Sequence, residues 1–321
     1  MKHLFPEHHH PHLRRRTILE FVGLFILGAI TYTQWDLITE AVQIIGEINA
    51  GWLALILGIY WLILPLTAIS LKHLTPKPKK LRLSTTILAH LAGAGPGRII
   101  PGGIGNISIS SIHLRKTGLS IEQAIGVMVT NNAIGLLTNI LLVVVALIIR
   151  PETFEILSSH ITSEQLLIAG GVVVFGASLW QWLSHARSTR KETTKTYKAW
   201  RGIVVKLLKK PRNLCVVVLI ALTIVLMHTL ILYFSAQSLG FTLIYFDAVI
   251  ALSFGVAIGG ILPTPGGVGG VEAGITAALV ILGYDATEAT SAAILFRIAT
   301  YAQPLIPGTL AYFYLRERKL L

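Results

Sequence analysis

Between Gln123 and Ile149 the sequence carries no charged residue. A helix needs ~20 mainly apolar residues to cross the hydrocarbon core of a bilayer, and this run exceeds that length. It is one of several. Long apolar runs fall at 17–34, 50–71, 121–149, 166–184, 213–239 and 289–315. Over the whole chain 53% of residues are hydrophobic and 13% are charged, against about 25% charged in an ordinary soluble domain. In lipid the backbone must satisfy its own hydrogen bonds. The expectation is therefore an all-α, polytopic membrane protein with six full spans.

Two further runs, 84–112 and 246–282, are interrupted by glycine and proline. Each is too short for two complete spans, which need roughly 40 residues. Each therefore reads as a re-entrant hairpin that enters the membrane and leaves on the same side. Two short full spans give the same loop sidedness, so charge does not separate the alternatives. The expected organisation is a basic tail over 1–16, a first membrane repeat over 17–149, a second over 150–315 and a tail over 316–321. The polar segment 185–212 lies within the second repeat.

The formal net charge is +12 at pH 7. A nucleic-acid partner is disfavoured, because the cations sit between apolar runs, where topology signals belong. Segment 72–83 carries Lys72, Lys77, Lys79, Lys80 and Arg82 without an acid. Segment 185–212 is more basic still, with Glu192 its lone acid. The alternate loops carry Asp36, Glu40 and Glu47, then Glu152, Glu155 and Glu164, then Asp285 and Glu288. The positive-inside rule places both termini and both basic loops in the cytoplasm of a multi-pass plasma-membrane protein. The first run lacks a small-residue cleavage site and reads as a retained span. His8, His9, His10 and His12 read as part of a solvated tail rather than a metal site, because no acid or cysteine ligand set accompanies them. Lone Cys215 excludes an internal disulfide and a cysteine metal cluster. No cofactor is expected.

The two broken runs are related. PGGIGN at Pro101–Asn106 recurs as PGGVGG at Pro265–Gly270, and GLSIEQA at Gly118–Ala124 recurs as GYDATEA at Gly283–Ala289. The offsets are 164 and 165. Ser120 with Gln123, and Asp285 with Glu288, have the spacing of a capping box at a helix start. Each unit then holds three spans and one hairpin. An odd number of spans inverts the second unit, which is a transporter architecture with its site near the midplane.

Most Lys and Arg residues fall in expected cytoplasmic segments. Arg98, inside the first broken run, and Arg297, inside the last apolar run, do not. Arg150 ends a span. Glu272 directly follows the second break, whereas Glu20 can reach Arg14–Arg16 at the membrane edge. A charge at membrane depth costs about 2.5–3.5 kcal/mol on insertion scales, and such residues usually pair or line a path. Glu272 and Arg297 are the natural mutual partners. His90 and His228 read as packing residues rather than proton relays. The sequence has no Gly-x-Ser-x-Gly, His-Glu-x-x-His or Walker lysine loop.

The stretch LPTPGGVGGVEAG, followed by Gly283, AAILFRIATY and PLIPG, resembles the membrane region of lysylphosphatidylglycerol synthases and their stand-alone flippase-like relatives. The resemblance is strongest over 254–308 and weaker over 95–124. It implies a lipid flippase without aminoacyltransferase activity. The family pattern matches Pro263, Pro265, Gly266, Gly267, Gly269, Glu272 and Arg297. The first half departs from it. Relatives often place an acid–Arg pair in the helix after the first hairpin, where this chain has Asn131 and Asn132. By the repeat offset, Asn132 corresponds to Arg297.

The leading expectation is translocation of a polar-headed phospholipid or related amphipathic lipid, with an anionic head as one option. Arg98, Arg297, Glu272 and Asn132 would form the site with Gly102, Gly103, Gly266, Gly267 and Gly269. Pro101, Pro263 and Pro265 would hold the breaks open. Membrane lipids are the expected partners, and a separate lipid-modifying enzyme is a candidate. Two other readings stay open: a membrane-embedded enzyme or subunit of lipid or polyprenyl metabolism, and a non-transporting assembly protein.

Overall fold

The computed structural model describes residues 48–99, 104–160, 190–261 and 264–321, together with Thr39 and Gln43. The tail 1–16, the runs 17–34 and 166–184, and the acids Glu20, Asp36, Glu40, Glu47 and Glu164 lie outside the described residues. So do Pro101, Gly102, Gly103 and Pro263.

The described elements are helical throughout. In chain order they are α1 (Ala50–Leu74), α2 (Leu83–Ala94), α3 (Ile104–Lys116), α4 (Ile121–Ile149), α5 (Pro151–His160), α6 (Arg190–Leu208), α7 (Pro211–Ser238), α8 (Tyr245–Ile261), α9 (Gly270–Ile281), α10 (Ala286–Arg297) and α11 (Leu305–Glu317). Among them α1, α4 and α7 are long and apolar enough to cross a membrane.

Local chemistry sets the boundaries. Asn49 Oδ1 accepts from Gly51 N–H at 2.7 Å and starts α1. Thr75, just before Pro76, ends it in an extended conformation, as a residue preceding proline prefers. The two related helix starts both form. Ser120 and Gln123 make the reciprocal capping box of α4. The Asp285 carboxylate accepts from the N–H groups of Thr287 and Glu288 at the start of α10.

The broken runs fold as helical hairpins, α2 with α3 and α8 with α9. Their arms close on each other where side chains are missing. A Cβ at Gly97 would lie 3.0 Å from the backbone of Gly105, and one at Gly267 would lie 2.9 Å from the carbonyl of Gly259. Both turns use a short 3-10 segment, Pro96–Ile99 in the first and Pro265–Gly267 in the second, and these two segments touch. The hairpin tips therefore meet inside the bundle.

The run 289–315 is not one uninterrupted helix. After α10 the chain makes a π-turn over Ile298–Ala302, and α11 begins after Pro304. Gln303 N–H reaches back five residues to Ile298 O at 2.8 Å. The cause lies in the sequence: Pro304 has no N–H to give to Thr300. Segment 185–212 is likewise more than a connecting loop. Its helix α6 packs on α4, where Gly126 leaves room for Ile203 and the Trp200 backbone.

The main core joins α1, α2 and α7 to α11 through residues such as Ile56, Ile231, Leu232, Ile275 and Leu295, all fully buried. Helix α10 contributes an alanine-rich face, Ala289, Ala292 and Ala293, that lets its neighbours approach. The opposite kind of surface lies on α4, where Leu136 is 60% and Leu137 66% exposed. In a chain with spans this apolar, such faces suit lipid.

Candidate functional site

The site is built where the hairpin tips meet the break between α10 and α11. Residues Gly266, Gly267 and Gly269 all have positive φ, at 61°, 69° and 81°. A side chain in that region costs roughly 1–2 kcal/mol. At Gly266 a Cβ would also overlap the ring of Tyr301. The turn thus needs glycine both for its path and for the ring lying against it. It delivers Glu272 to the first turn of α9, where the positive end of the helix favours a carboxylate.

Arg297 is the last residue of α10 and reads that turn twice. Its Nε donates to Glu272 Oε1 at 2.9 Å, and its Nη2 donates to Gly266 O at 3.0 Å. The paired side chains are 13% and 21% exposed. The pair expected from sequence is formed, and it also clamps the glycine turn.

Arg98 comes from the first tip and is held differently. Its Nη2 donates to the backbone carbonyl of Thr300 at 2.7 Å. That carbonyl is the one that Pro304 leaves without a helical donor, so the guanidinium fills a vacancy written in the chain. The Arg98 guanidinium lies 4.7 Å from the centre of the Tyr301 ring, and that of Arg297 lies 4.5 Å from it. Each such contact is worth ~0.5–2 kcal/mol, more as water is excluded. Among the described residues Arg98 has no carboxylate partner, and its buried Nη1 makes no hydrogen bond. Glu272 Oε2 is also without a partner.

Both arginines line a cavity of about 550 Å³ bounded by α1, α2, α3, α4, α7, α8, α9 and the α10–π-turn junction. Among the described residues its lining includes no Asp or Glu. One face of α4 supplies Asn131, Asn132, Gly135 and Asn139, a spacing that keeps them on one side of a helix. Serine hydroxyls donate to the amide oxygens of two lining asparagines, Ser70 to Asn131 at 2.7 Å and Ser110 to Asn106 at 3.2 Å, while Ser253, 3.2 Å from Asn139 Oδ1, has the Val249 carbonyl at the shorter 2.7 Å. The amide NH₂ groups carry the remaining polarity. Guanidinium and amide N–H groups together make a donor-rich chamber, suited to an anion or to oxygen acceptors.

The structure therefore brings Arg98, Arg297 and Asn132 to one cavity, with Glu272, Gly266 and Gly267 behind Arg297. Gly269 caps α9, and Pro265 sits in the second turn. Sequence reasoning missed Tyr301, although its position four residues after Arg297 places it on the same helix face. It missed Asn106 and Asn139, and took His90 and His228 as packing residues; all four line the cavity. Asp247 was also missed. It is 4% exposed at the start of α8 and accepts from Thr153 Oγ1 at 3.3 Å and Tyr284 Oη at 2.9 Å. These contacts tie α5 and the α9–α10 turn to the second hairpin.

A family model described as "Lysylphosphatidylglycerol synthase TM region" matches residues 19–308. No curated protein matches the chain.

Proposed function

The chain belongs to the lysylphosphatidylglycerol synthase TM-region family, and from that premise we propose that it is a lipid translocator, not an enzyme. It moves a phospholipid or related amphipathic lipid with an anionic head between leaflets of the plasma membrane. The two hairpins enter from opposite sides as halves of an inverted repeat, and both termini are cytoplasmic. The headgroup occupies the chamber between the tips while the acyl chains stay in lipid. The sequence has no Walker-type lysine loop, so movement is passive or coupled to an ion gradient. A separate lipid-modifying enzyme is a candidate source of the substrate.

The observation that carries this reading is the unequal treatment of the two arginines. Arg297 is neutralised by Glu272. Arg98 lines the same chamber without an acid partner among the described residues, and its Nη1 is buried with no hydrogen bond. A buried cation without a counter-ion is costly, and an anionic headgroup supplies the missing charge. Asn132 and the neighbouring amide N–H groups then donate to ester or hydroxyl oxygens.

The test is a reconstituted translocation assay with headgroup-labelled lipids. Arg98→Gln keeps an amide donor but removes the charge. It should slow movement of an anionic lipid at least about tenfold, equivalent to ~1.4 kcal/mol, and leave a zwitterionic lipid almost unaffected. Equal rates for wild type and variant with every headgroup would sink the assignment. They would favour an assembly protein or an enzyme subunit instead.

A further inference from the structure

A second polar cavity lies away from the chamber, at the end of the bundle where α1 finishes and α7 begins. It measures about 610 Å³ and shares no lining residue with the chamber. Lys72 and His73 come to it from the last turn of α1. Lys198 and Lys206 come from α6, and Lys210 from the residue that precedes α7. Among the described residues no Asp or Glu lines it.

Two of these residues need no ligand to explain them. Lys72 and His73 sit at a helix C-terminus, where the dipole favours positive charge. The others run against the same rule. Helix α7 starts with Lys210 at its N-cap, has no acid in its first turn and has no side-chain cap. A helix N-terminus carries partial positive charge and is ordinarily paired with an acid or a capping oxygen. Here lysines gather on it, and α6 is held in place on α4 to bring two more. Positive charges gathered on one concave surface favour the uptake of an anion.

Position indicates which kind. Helices α1 and α7 are both long enough to span a membrane and both end at this crevice, so it lies at the depth of lipid headgroups. Apolar residues of α6 that face outward, Tyr197, Val205 and Leu208, are 58%, 39% and 63% exposed. That face is suited to lying in the membrane interface. Polybasic segments there attract anionic lipid at about 1 kcal/mol per cation.

We infer that the crevice formed by Lys72, His73, Lys198, Lys206 and Lys210 is a binding site for a phosphate-bearing anion, separate from the chamber between the hairpin tips. Its two possible sources are an anionic lipid headgroup and a soluble phosphate ester. The site stands whether or not the chamber translocates lipid.

The experiment measures thermal stabilisation of the detergent-purified chain by added phosphatidylglycerol, by added phosphatidylcholine and by glycerol phosphate. Wild type should be stabilised by phosphatidylglycerol, and Lys72→Gln/Lys206→Gln should weaken that response about tenfold, equivalent to ~1.4 kcal/mol. The control Lys195→Gln/Arg201→Gln removes the same charge from residues that do not line the crevice, and should change it less than about twofold. Lys72→Arg/Lys206→Arg should keep the response, which separates loss of charge from misfolding. Stabilisation by glycerol phosphate as well identifies the soluble ester as a sufficient ligand, and stabilisation by phosphatidylglycerol alone identifies the lipid. Equal weakening in the Gln variants and their control would show diffuse attraction and overturn the site. So would equal stabilisation by phosphatidylcholine, or no response to any phosphate-bearing probe.

Discussion

The two hairpins are alike in backbone and unlike in charge. Both break on a Pro-Gly turn, both close their arms on glycine, and their tips touch. The second turn is clamped: Arg297 binds the Gly266 carbonyl and the Glu272 carboxylate, closing a neutral unit. The first tip offers Arg98, tied to a backbone carbonyl but to no acid among the described residues. By the repeat offset Glu272 corresponds to Ile107 or Ser108, so the first half has no acid at the equivalent place. One hairpin holds its own charge, and under the proposed function the other leaves a charge for a ligand.

The largest effect is all-or-none and concerns the direction of entry. In a Cys215→Ser background, Lys116→Cys follows the first hairpin and Asp285→Cys follows the second. An impermeant thiol reagent added outside sealed cells should label the second and spare the first. Labelling of both, or of the first alone, would mean that the hairpins do not enter from opposite sides.

Next in size is the ion pair. Glu272→Gln strands Arg297 beside the glycine turn, and breaking a buried pair costs about 3–5 kcal/mol. The figure is an upper range here, because both side chains keep some exposure. Protein abundance and melting temperature should fall sharply. Glu272→Gln/Arg297→Gln should recover much of that stability without recovering translocation. Arg98→Gln, which loses a carbonyl contact and a ring contact but strands no charge, should lower the melting temperature less. A loss in Arg98→Gln as large as that in Glu272→Gln would erase the contrast between the hairpins.

Smaller again is the glycine comparison. Gly266→Ala introduces a side chain at φ 61° and displaces Tyr301, for about 1–2 kcal/mol from the backbone conformation alone. Gly97→Ala meets Gly105 at 3.0 Å without a positive φ, so thermal unfolding should show the lesser loss. The opposite ranking would mean that the first tip is the more tightly built.

The smallest effect separates the two helix caps. The N–H groups of Glu288 and Thr287 hold the Asp285 carboxyl below the usual carboxylate range. A lowered folded-state pKa contributes stability above the unfolded value, about 3.9, and that contribution is lost as pH falls through the folded value. Ser120 caps α4 with a hydroxyl that does not titrate over this range. Hydrogen-exchange protection of the Thr287 and Glu288 amides should therefore weaken in acid, while that of the Gln123 amide holds. Parallel loss at both caps would assign the change to general unfolding.

Local pattern made much of this fold legible. The run 121–149 is a helix with those bounds, and the broken runs 84–112 and 246–282 appear as hairpins spanning Leu83–Lys116 and Tyr245–Ile281. Hydrophobic length, glycine, proline and capping residues act over a few positions, so they can be read directly. The pairing of Glu272 with Arg297 was legible for another reason: two charges at membrane depth have few alternatives to each other. Less visible was the break in 289–315. The run is apolar to its end, and its interruption depends on Pro304 freeing a carbonyl that a residue 202 positions away in sequence comes to use.

Sequence alone determined that this chain is helical, that it is made for a membrane and that two of its hydrophobic segments must be bent open. Those properties follow from burial and backbone hydrogen bonding, which every residue meets on its own terms. Tertiary structure decided that the two tips meet, that Tyr301 receives both arginines and that the Ser70 and Ser110 hydroxyls donate to the oxygens of Asn131 and Asn106 beside the chamber. The net charge facing that chamber is a sum over groups from separate helices. It has no value until packing has chosen which of those groups are neighbours.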